Sequence, residues 1–415
     1  MPSAAAPSRP KVNLRTPEVL EAVQAQVEKH YRSALVERIR ASGGRLSTAG
    51  LTVRLAKEFG FCYGVERAID LAYAARKVFK DRPLYILGEI IHNPEVNDQI
   101  QAMGIKTLTG PKPEAKIEDL TANDVVIIPA FGAEVAIMER IKSKGCALVD
   151  TTCGDVMSVW KRVRQYATEE VTSIIHGKAW HEETKATSSR ALAANGNGHY
   201  LVVYTLAETD YVCDYIRRGG NKTELLAKFK GAHSPGFDPD IHLRAVGVAN
   251  QTTMLRGETE EVQHRFRQVM IDCHGEANLA AHFRVFDTIC GATQDRQDAL
   301  QKLLQEPLDL LLVIGGYNSS NTSHLAEMGE ARLPTFFIKN AGKMVSDRKI
   351  VHFSMQKNQE IEADNWLPSG DITVGITAGA SCPNNLIEET IRRLFSFRGV
   401  TPEQLLGNTG APAVA

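Results

Sequence analysis

The sequence lacks the features that mark several classes of protein. Its 415 residues contain no apolar run close to the roughly 20 residues that cross a bilayer, so we expect no membrane partner. Lysine and arginine total 48 against 49 aspartate and glutamate, which leaves no basic excess to neutralise a nucleic-acid backbone. We therefore expect no nucleic-acid partner. The opening MPSAAAPSRPKVNLR has no apolar core of the kind that secretory signals carry. Its lack of acidic residues leaves an organelle transit peptide as an alternative, but the stretch is short, so we expect a cytoplasmic protein.

Cysteine is also scarce, because the chain has only seven, an odd number scattered widely along it. This pattern argues against a secreted disulfide framework. In a reducing compartment each cysteine is a core filler, a metal ligand or a nucleophile. We interpret Cys146, Cys213 and Cys273 as structural, since they lie in or beside predicted strands and helices. Cys382 follows a predicted strand end, and the sequence does not decide its role.

The chain is longer than the roughly 250–300 residues at which single cores stop growing. A helical pattern runs from Thr16 to Arg40, and short apolar strands such as LYILGEI and DVVIIPAFG then alternate with amphipathic helices. This alternation predicts an α/β fold with mostly parallel sheets that helices cover on both faces. We divide the chain into an N-terminal helical extension (1–50), three similar α/β domains (51–152, 153–289 and 290–397) and a C-terminal tail (398–415).

Three cysteines share one sequence context. Cys62, Cys153 and Cys290 each follow a predicted strand and turn, stand beside a glycine and precede a predicted helix. The free N–H groups and the positive dipole end of a helix N-terminus stabilise thiolate, which is the form that binds iron. Three thiolates would leave one iron of a 4Fe–4S cluster open for catalysis. Spacing alone equally allows three unrelated loop cysteines.

Small hydrogen-bonding side chains gather at the ends of five predicted strands. Hydroxyls, amides and imidazoles near helix starts bind phosphate or diphosphate without much net charge. Any one of these clusters alone is also typical of turn chemistry or a helix cap. Together on one α/β frame they favour a shared pocket. The clusters span residues 89–93, 176–183, 250–253, 317–321 and 377–381.

The order of the motifs makes the chain resemble the 4-hydroxy-3-methylbut-2-enyl diphosphate reductase family, especially its longer plant and cyanobacterial type. That family performs the last step of the methylerythritol phosphate route to isoprenoids, and it releases isopentenyl and dimethylallyl diphosphate. The resemblance runs from about Glu18 to Phe397. The motifs are GFCYGVERAI, EIIHNPEVN, PAFGAEV, DTTC, SIIHGKAWHEETKAT, VANQTTM, DTICGATQDRQDA, GGYNSSNTSHL and TAGAS.

The resemblance implies three α/β domains in a trefoil-like arrangement around a central 4Fe–4S cluster. It also implies an allylic diphosphate substrate and a ferredoxin or flavodoxin as electron donor. Glu183 matches the family's proton-delivering glutamate, and Thr252 matches the threonine beside the substrate hydroxyl. By motif, the cluster ligands are Cys62, Cys153 and Cys290. By motif, the substrate-binding residues are His92, His181, Gln251, Ser319, Ser320, Asn321 and Ser381.

The sequence departs from the family pattern at four positions. Phe131 stands where short bacterial enzymes have a histidine, although the longer type shares the phenylalanine. Gly154 replaces a usual proline after Cys153, and Met157 replaces a usual threonine. Cys382 is a thiol where none is typical, and we do not expect it to bind the cluster.

Three other interpretations compete with the reductase. One is another three-cysteine cluster enzyme, of the quinolinate synthase or diphthamide type. A second is a non-catalytic binding or redox-sensing protein, and a third is an α/β protein stabilised by zinc. The acid at Glu183 and the hydroxyl-rich segments distinguish the reductase, since a binding protein needs no proton donor.

Overall fold

The structure is a computed structural model that describes residues 14, 16–192, 197–286 and 288–407. The first part of the predicted extension and the last part of the predicted tail lie outside the described residues. No helix in the described part of the chain is long and apolar enough to cross a bilayer. The helices are α1 Pro17–Tyr31, α2 Ala34–Ala41, α3 Tyr63–Val78, α4 Pro94–Ala102, α5 Val135–Ser143, α6 Gly154–Thr168, α7 Glu182–Arg190, α8 Leu206–Arg218, α9 Lys222–Lys228, α10 Pro239–His242, α11 Arg256–His274, α12 Leu279–His282, α13 Gly291–Leu303, α14 Ser320–Glu330, α15 Asn384–Ser396 and α16 Pro402–Gly407.

The strands are short and mostly apolar. Three four- or five-stranded sheets and one separate hairpin contain them. The strands are β1 Arg45–Thr48, β2 Leu51–Leu55, β3 Leu84–Ile86, β4 Ile105–Thr107, β5 Val125–Ile128, β6 Ala147–Asp150, β7 Thr172–His176, β8 Tyr200–Val203, β9 Val246–Asn250, β10 Phe283–Val285, β11 Leu310–Ile314, β12 Thr335–Ile338, β13 Lys349–Ser354, β14 Gln359–Asp364 and β15 Ile372–Ala378.

Two of the sheets are entirely parallel. The first has the order β4-β3-β5-β6, and the second has the order β10-β9-β7-β8. Their central strands β5, β7 and β9 are buried at every residue. Continuous burial of this kind requires cover on both faces, which agrees with the parallel α/β fold that the alternating pattern predicts.

The third sheet has the order β1-β2-β15-β11-β12. Strand β2 pairs in parallel with β15, so residues 51–55 join the sheet built from residues 310–378 although they begin the first predicted domain. The division into three domains therefore stays a prediction, with β2 structurally part of the third sheet. Strand β1 pairs antiparallel with β2, and β13 pairs antiparallel with β14.

The helical extension forms two helices that pack on the body. Ser33 caps α2, since its hydroxyl accepts a hydrogen bond from the Val36 N–H at 2.9 Å. Leu35, Val36 and Ile39 are buried with the core of the third sheet. Helix α1 packs instead against α3, the first helix after Cys62. The extension thus contacts both sides of the chain segment that leads to Cys62.

Candidate active site

The three cysteines lie at equivalent places in the fold. Cys62, Cys153 and Cys290 are the N-cap residues of α3, α6 and α13. Their backbone N–H groups are held by carbonyls of neighbouring strand ends, at 2.8 Å from Ala130 to Cys153 and 3.2 Å from Ala380 to Cys62. The three helix N-termini thus bring all three cysteines to the wall of one cavity.

One cavity of about 120 Å³ receives these thiols and most of the polar residues that the motifs single out. Gly64 shows how close two of the thiols come, because a Cβ on it would lie 2.7 Å from the Cys153 Sγ and 3.9 Å from the Cys62 Sγ. The predicted site residues that line the cavity are Cys62, Cys153, Cys290, His92, His181, Glu183, Thr252, Ser319, Ser320, Asn321 and Ser381.

The thiols are suited to a metal and poorly suited to act as free nucleophiles. Burial raises the pKa of the Cys290 thiol to about 12, although the Thr293 hydroxyl and N–H contact its sulfur at 2.9 and 3.3 Å. Burial also raises the pKa of Cys153. A metal that displaces the thiol protons overcomes this penalty. Three thiols at three helix N-termini, with backbone N–H groups nearby, fit an iron–sulfur cluster with one open position.

Glu183 is the buried acid of the cavity. It lies in the first turn of α7 and is only 3% exposed. Burial raises its pKa from 4.5 to about 7, against the opposing effect of the Thr252 N–H, which donates to Oε1 at 2.6 Å. Glu183 thus keeps a proton near neutral pH, as a general acid requires. The Thr252 N–H fixes one carboxyl oxygen, so the proton belongs on the other oxygen.

Two histidines stand beside Glu183. The Nδ1 of His181 accepts the Glu183 N–H at 3.2 Å, so the neutral ring carries its proton on Nε2. Burial holds the pKa of His181 well below its usual range. His92 stacks on Phe131 with ring centroids 4.6 Å apart and an interplanar angle of 6°. The Nε2 atoms of both histidines are buried without a hydrogen-bond partner among the described residues, although the Glu182 carboxylate lies 3.9 Å from the His92 Nε2.

The phenylalanine at position 131 thus has a structural use where the short enzymes have a histidine. It cannot donate a hydrogen bond, but its ring fixes the plane of His92. The Glu89 carboxylate lies 3.0 Å from the His92 Nδ1 and fixes the rotation of the ring within that plane. His92, His181 and Glu182 also bring three ligand atoms within 4.8 Å of one another. The positive N-terminus of α7 nevertheless favours an anion over a cation there.

The N-terminus of α14 supplies the remaining polar groups. Ser319 caps this helix, and its hydroxyl accepts the Thr322 N–H at 3.4 Å. The Ser320 Oγ and the Asn321 Nδ2 are buried and have no partner in the described chain. Asn321 Oδ1 accepts the Ala380 N–H at 2.9 Å, which orients the amide. Unpaired buried donors at a helix N-terminus form a site for an anion such as a diphosphate.

Gln251 is the one predicted site residue that does not line this cavity, and its contact with substrate stays a prediction. Its amide oxygen accepts the Lys178 N–H at 3.1 Å and the Thr184 hydroxyl at 3.2 Å, and its amide nitrogen donates to Thr253 at 3.1 Å. These bonds hold the side chain against the loop before α7 and against α7 itself, and Gln251 does not line the cavity. The motif alone does not reveal these hydrogen-bond partners.

Two contributors were missed at the sequence level. Thr293 lines the cavity and contacts the Cys290 sulfur. The sequence could have predicted this contact, since Thr293 stands three residues after the N-cap residue Cys290, where capping interactions occur. Gly64 was noticed only as a glycine beside a cysteine, whereas its lack of a Cβ makes room for the thiol of Cys153. That contact joins distant parts of the chain, so no local pattern reveals it.

Comparisons with known proteins agree with one another. A family model described as "LytB protein" matches residues 53–395. Curated relatives called 4-hydroxy-3-methylbut-2-enyl diphosphate reductase are similar over nearly the whole chain. The relative from Gloeobacter violaceus is 48% identical over 398 residues, 95% of this chain and 94% of its own length. The relative from Thermosynechococcus vestitus is 47% identical over 381 residues, 92% of this chain and 93% of its own length.

Solved structures show the same fold. A structure of (E)-4-hydroxy-3-methyl-but-2-enyl diphosphate reductase, described as the terminal enzyme of the non-mevalonate pathway, aligns with a TM-score of 0.50 and 26% identity. The alignment covers 83% of this chain and 99% of that one. A Plasmodium falciparum diphosphate reductase aligns with a TM-score of 0.60 and 22% identity, over 83% of this chain and 89% of that one, which supports the fold alone.

Proposed function

The chain belongs to the LytB protein family, and we propose that it reduces 4-hydroxy-3-methylbut-2-enyl diphosphate to isopentenyl and dimethylallyl diphosphate. The observation that carries the proposal is one cavity that joins three helix-capping thiols, a protonated acid and an anion site at a helix N-terminus. The family places the enzyme among the oxidoreductases. A zinc-stabilised or purely binding protein would need no buried acid beside the thiols.

The anion site would hold the diphosphate. His181 donates from Nε2, while the Ser320 hydroxyl and the Asn321 amide supply further unpaired donors. The α14 N-terminus adds its dipole. Hydroxyl, amide and imidazole donors near a helix start bind such an anion without much net charge. His92, Ser319 and Ser381 complete the wall around the same groups.

The three cysteines would hold a 4Fe–4S cluster, which supplies electrons and a Lewis-acidic iron to the substrate's hydroxyl end. Glu183 holds its proton in the same cavity and delivers it to the departing hydroxyl, which leaves as water. The reaction consumes two electrons and two protons. Thr252 lines the same cavity and keeps the acid in place through its N–H.

The experiment that tests this proposal is anaerobic purification and reconstitution, followed by iron and sulfide analysis and a dithionite-driven assay. We expect about four irons and four sulfides per chain, with a brown colour. Chromatographic separation with mass spectrometry would show isopentenyl and dimethylallyl diphosphate, which are isomers of equal mass. A colourless protein that resists reconstitution, or a loaded protein that leaves the substrate unchanged, would overturn the proposal. A ferredoxin or flavodoxin donor and a cytoplasmic location stay predictions.

A further inference from the structure

Three consecutive residues lead into Cys62, and each is held by a different long-range contact. They are Phe59, Gly60 and Phe61, which we call the Cys62 lead-in. Gly60 has a φ of +78°, and a Cβ on it would lie 2.9 Å from the Asn384 side chain. The lead-in therefore follows a tight path that only glycine permits at its centre.

Arg296 holds the middle of the lead-in. Its Nη2 and Nε donate to the Gly60 carbonyl at 2.6 and 3.2 Å, and its Nη1 donates to the Ala292 carbonyl at 2.8 Å. The residue is 5% exposed. Its charge also acts on Glu66, where it opposes the rise that burial causes in the pKa of that carboxyl. Arg296 lies on α13, the helix that Cys290 begins, so it joins two of the cysteine positions.

The N-terminal extension holds the two ends of the lead-in. The Arg40 Nη2 donates to the Phe59 carbonyl at 2.9 Å, and its guanidinium lies 3.9 Å from the centre of the Phe59 ring. Tyr31 packs its ring against Phe61, with centroids 5.5 Å apart. These contacts bridge a cavity of about 410 Å³ between the extension and α3. These contacts add to the core packing of Phe59, which is buried with Leu35 and Ile39 of the extension.

The extension is an addition to the part of the chain that the family model matches. That match begins at residue 53, after Tyr31 and Arg40 but before Phe59. The lead-in and Arg296 thus belong to the matched region, whereas two of the three contacts come from outside it. A group that supports a metal ligand tunes how firmly the metal is held.

We propose that Arg40, Tyr31 and Arg296 form a clamp on the Cys62 lead-in that fixes the Cys62 thiolate and slows loss of iron from the protein. The inference rests on the proposed function, since it concerns the cluster that the three cysteines would hold. All three are positioning residues, because they act through backbone and ring contacts and not through the sulfur. Arg296 has a second effect, as its buried positive charge offsets the negative charge of cluster and thiolates.

Iron release to a ferrous chelator tests the extension's part in the clamp. The double variant Tyr31→Leu/Arg40→Gln keeps apolar volume on α1 but removes both contacts. We expect it to release iron roughly tenfold faster than the wild type, the effect typical of losing support to a metal ligand. Two matched controls should behave as wild type. Tyr31→Phe keeps the ring against Phe61, and Arg32→Gln removes an exposed arginine of the same extension. Unchanged release from the double variant would overturn the clamp.

Two further readouts separate the clamp from general stability and from the proposed function. Amide hydrogen exchange over residues 58–63, in protein without iron, should be faster in the double variant and unchanged elsewhere. If the wild type binds no iron, the proposed function fails, and equal exchange in both proteins would also overturn the clamp. For Arg296, the midpoint potential should fall in Arg296→Gln and recover in Arg296→Lys, which keeps the charge. Equal potentials in both variants would contradict its electrostatic part.

Discussion

The proton on Glu183 is the residue-scale feature on which the proposed chemistry depends. The carboxyl is buried against Thr252, and its pKa of about 7 keeps it protonated up to neutral pH. We expect Glu183→Gln to lower kcat by roughly 10²–10⁴-fold, because an amide cannot supply the proton. A steady-state assay with dithionite as the reductant measures this change in kcat. Iron content equal to wild type is the necessary control.

The same pKa predicts a pH dependence. Since the acid form is active, kcat should fall as pH rises through about 7.

The free energy of unfolding should also fall with rising pH, because the pKa of Glu183 in the folded chain is raised above its ordinary value of 4.5. The unfolded chain releases this proton near pH 4.5 and the folded chain only near 7, so the free energy of unfolding falls across that window, by about 3 kcal/mol. In protein without iron, Glu183→Gln should lose this slope; an unchanged slope would assign it to other groups.

Gly64 offers a residue-scale test of the thiol geometry. A Cβ there would lie 2.7 Å from the Cys153 Sγ, so Gly64→Ala must displace the thiol or the helix. We expect this variant to fold but to hold much less iron after reconstitution. Gly154→Ala is the matched control, since Gly154 adjoins Cys153 and a Cβ on it meets nothing within 4 Å. Equal iron in both variants would show that Cys153 does not need this space.

The sequence identifies the residues of the candidate site but does not show which of them contact one another. Glu183, Thr252 and the three cysteines are visible as motif residues, and the structure brings all five to one cavity. The contact between Gly64 and Cys153, and the hydrogen bonds that keep Gln251 out of the cavity, depend on chain segments far apart. Periodicity reports which face of an element is apolar, so it carries no information on such contacts.

At the scale of elements, the helices that start at cysteines are positioned by their packing. Helix α6 carries Cys153 at its start and Trp160 on its buried side. The Trp160 ring rests on Gly132, where a Cβ would come within 2.3 Å of it. Helix α6 packs on β7 and β9 of the second sheet, and its contact with the turn PAFG ties it to the end of the first sheet. The turn therefore helps to set the position of Cys153 at the start of α6.

Replacing this glycine should move the helix. Gly132 has a φ of +80°, so Gly132→Ala carries backbone strain as well as the clash with Trp160. We expect a loss of about 1–3 kcal/mol from the clash, measured by chemical denaturation, together with weaker iron binding. Gly104→Ala shares the positive φ of +79° but meets no atom within 4 Å, so it isolates the strain. A Gly132 variant no less stable than the Gly104 variant would contradict the packing argument.

Elements with apolar cores were predictable, and exposed ones were not. The buried strands β5 and β11 are continuous apolar runs, VVII and LLLVI. The sequence did not predict the hairpin of β13 and β14, since in QEIEAD single apolar residues alternate with charged ones and no residue of this strand is buried. Strand β1 was not predicted either, since RLST has a single apolar residue. Helix α9 has only seven residues, Lys222–Lys228, which are too few to show a helical period in the sequence.

At the scale of the whole molecule, the site belongs to no single sheet. Cys62 follows β2 in the third sheet, Cys153 follows β6 in the first, and Cys290 follows β10 in the second. The sequence predicts three α/β units, but it could not show that β2 crosses to pair with β15, more than 300 residues later. Pairing between such distant strands depends on tertiary assembly. A bound cluster would therefore tie together all three sheets.

This arrangement predicts that iron contributes to the stability of the whole chain. A metal that binds only the folded state raises the free energy of unfolding by mass action. We expect protein stripped of iron by a chelator under anaerobic conditions to unfold at a temperature several degrees lower than the reconstituted protein. Differential scanning calorimetry measures this, with the Cys290→Ser variant as control, because it should gain little from added iron and sulfide. If iron binds yet leaves the wild-type transition unchanged, the cysteines do not join the three sheets energetically, and the cluster occupies a preformed cavity without holding the fold.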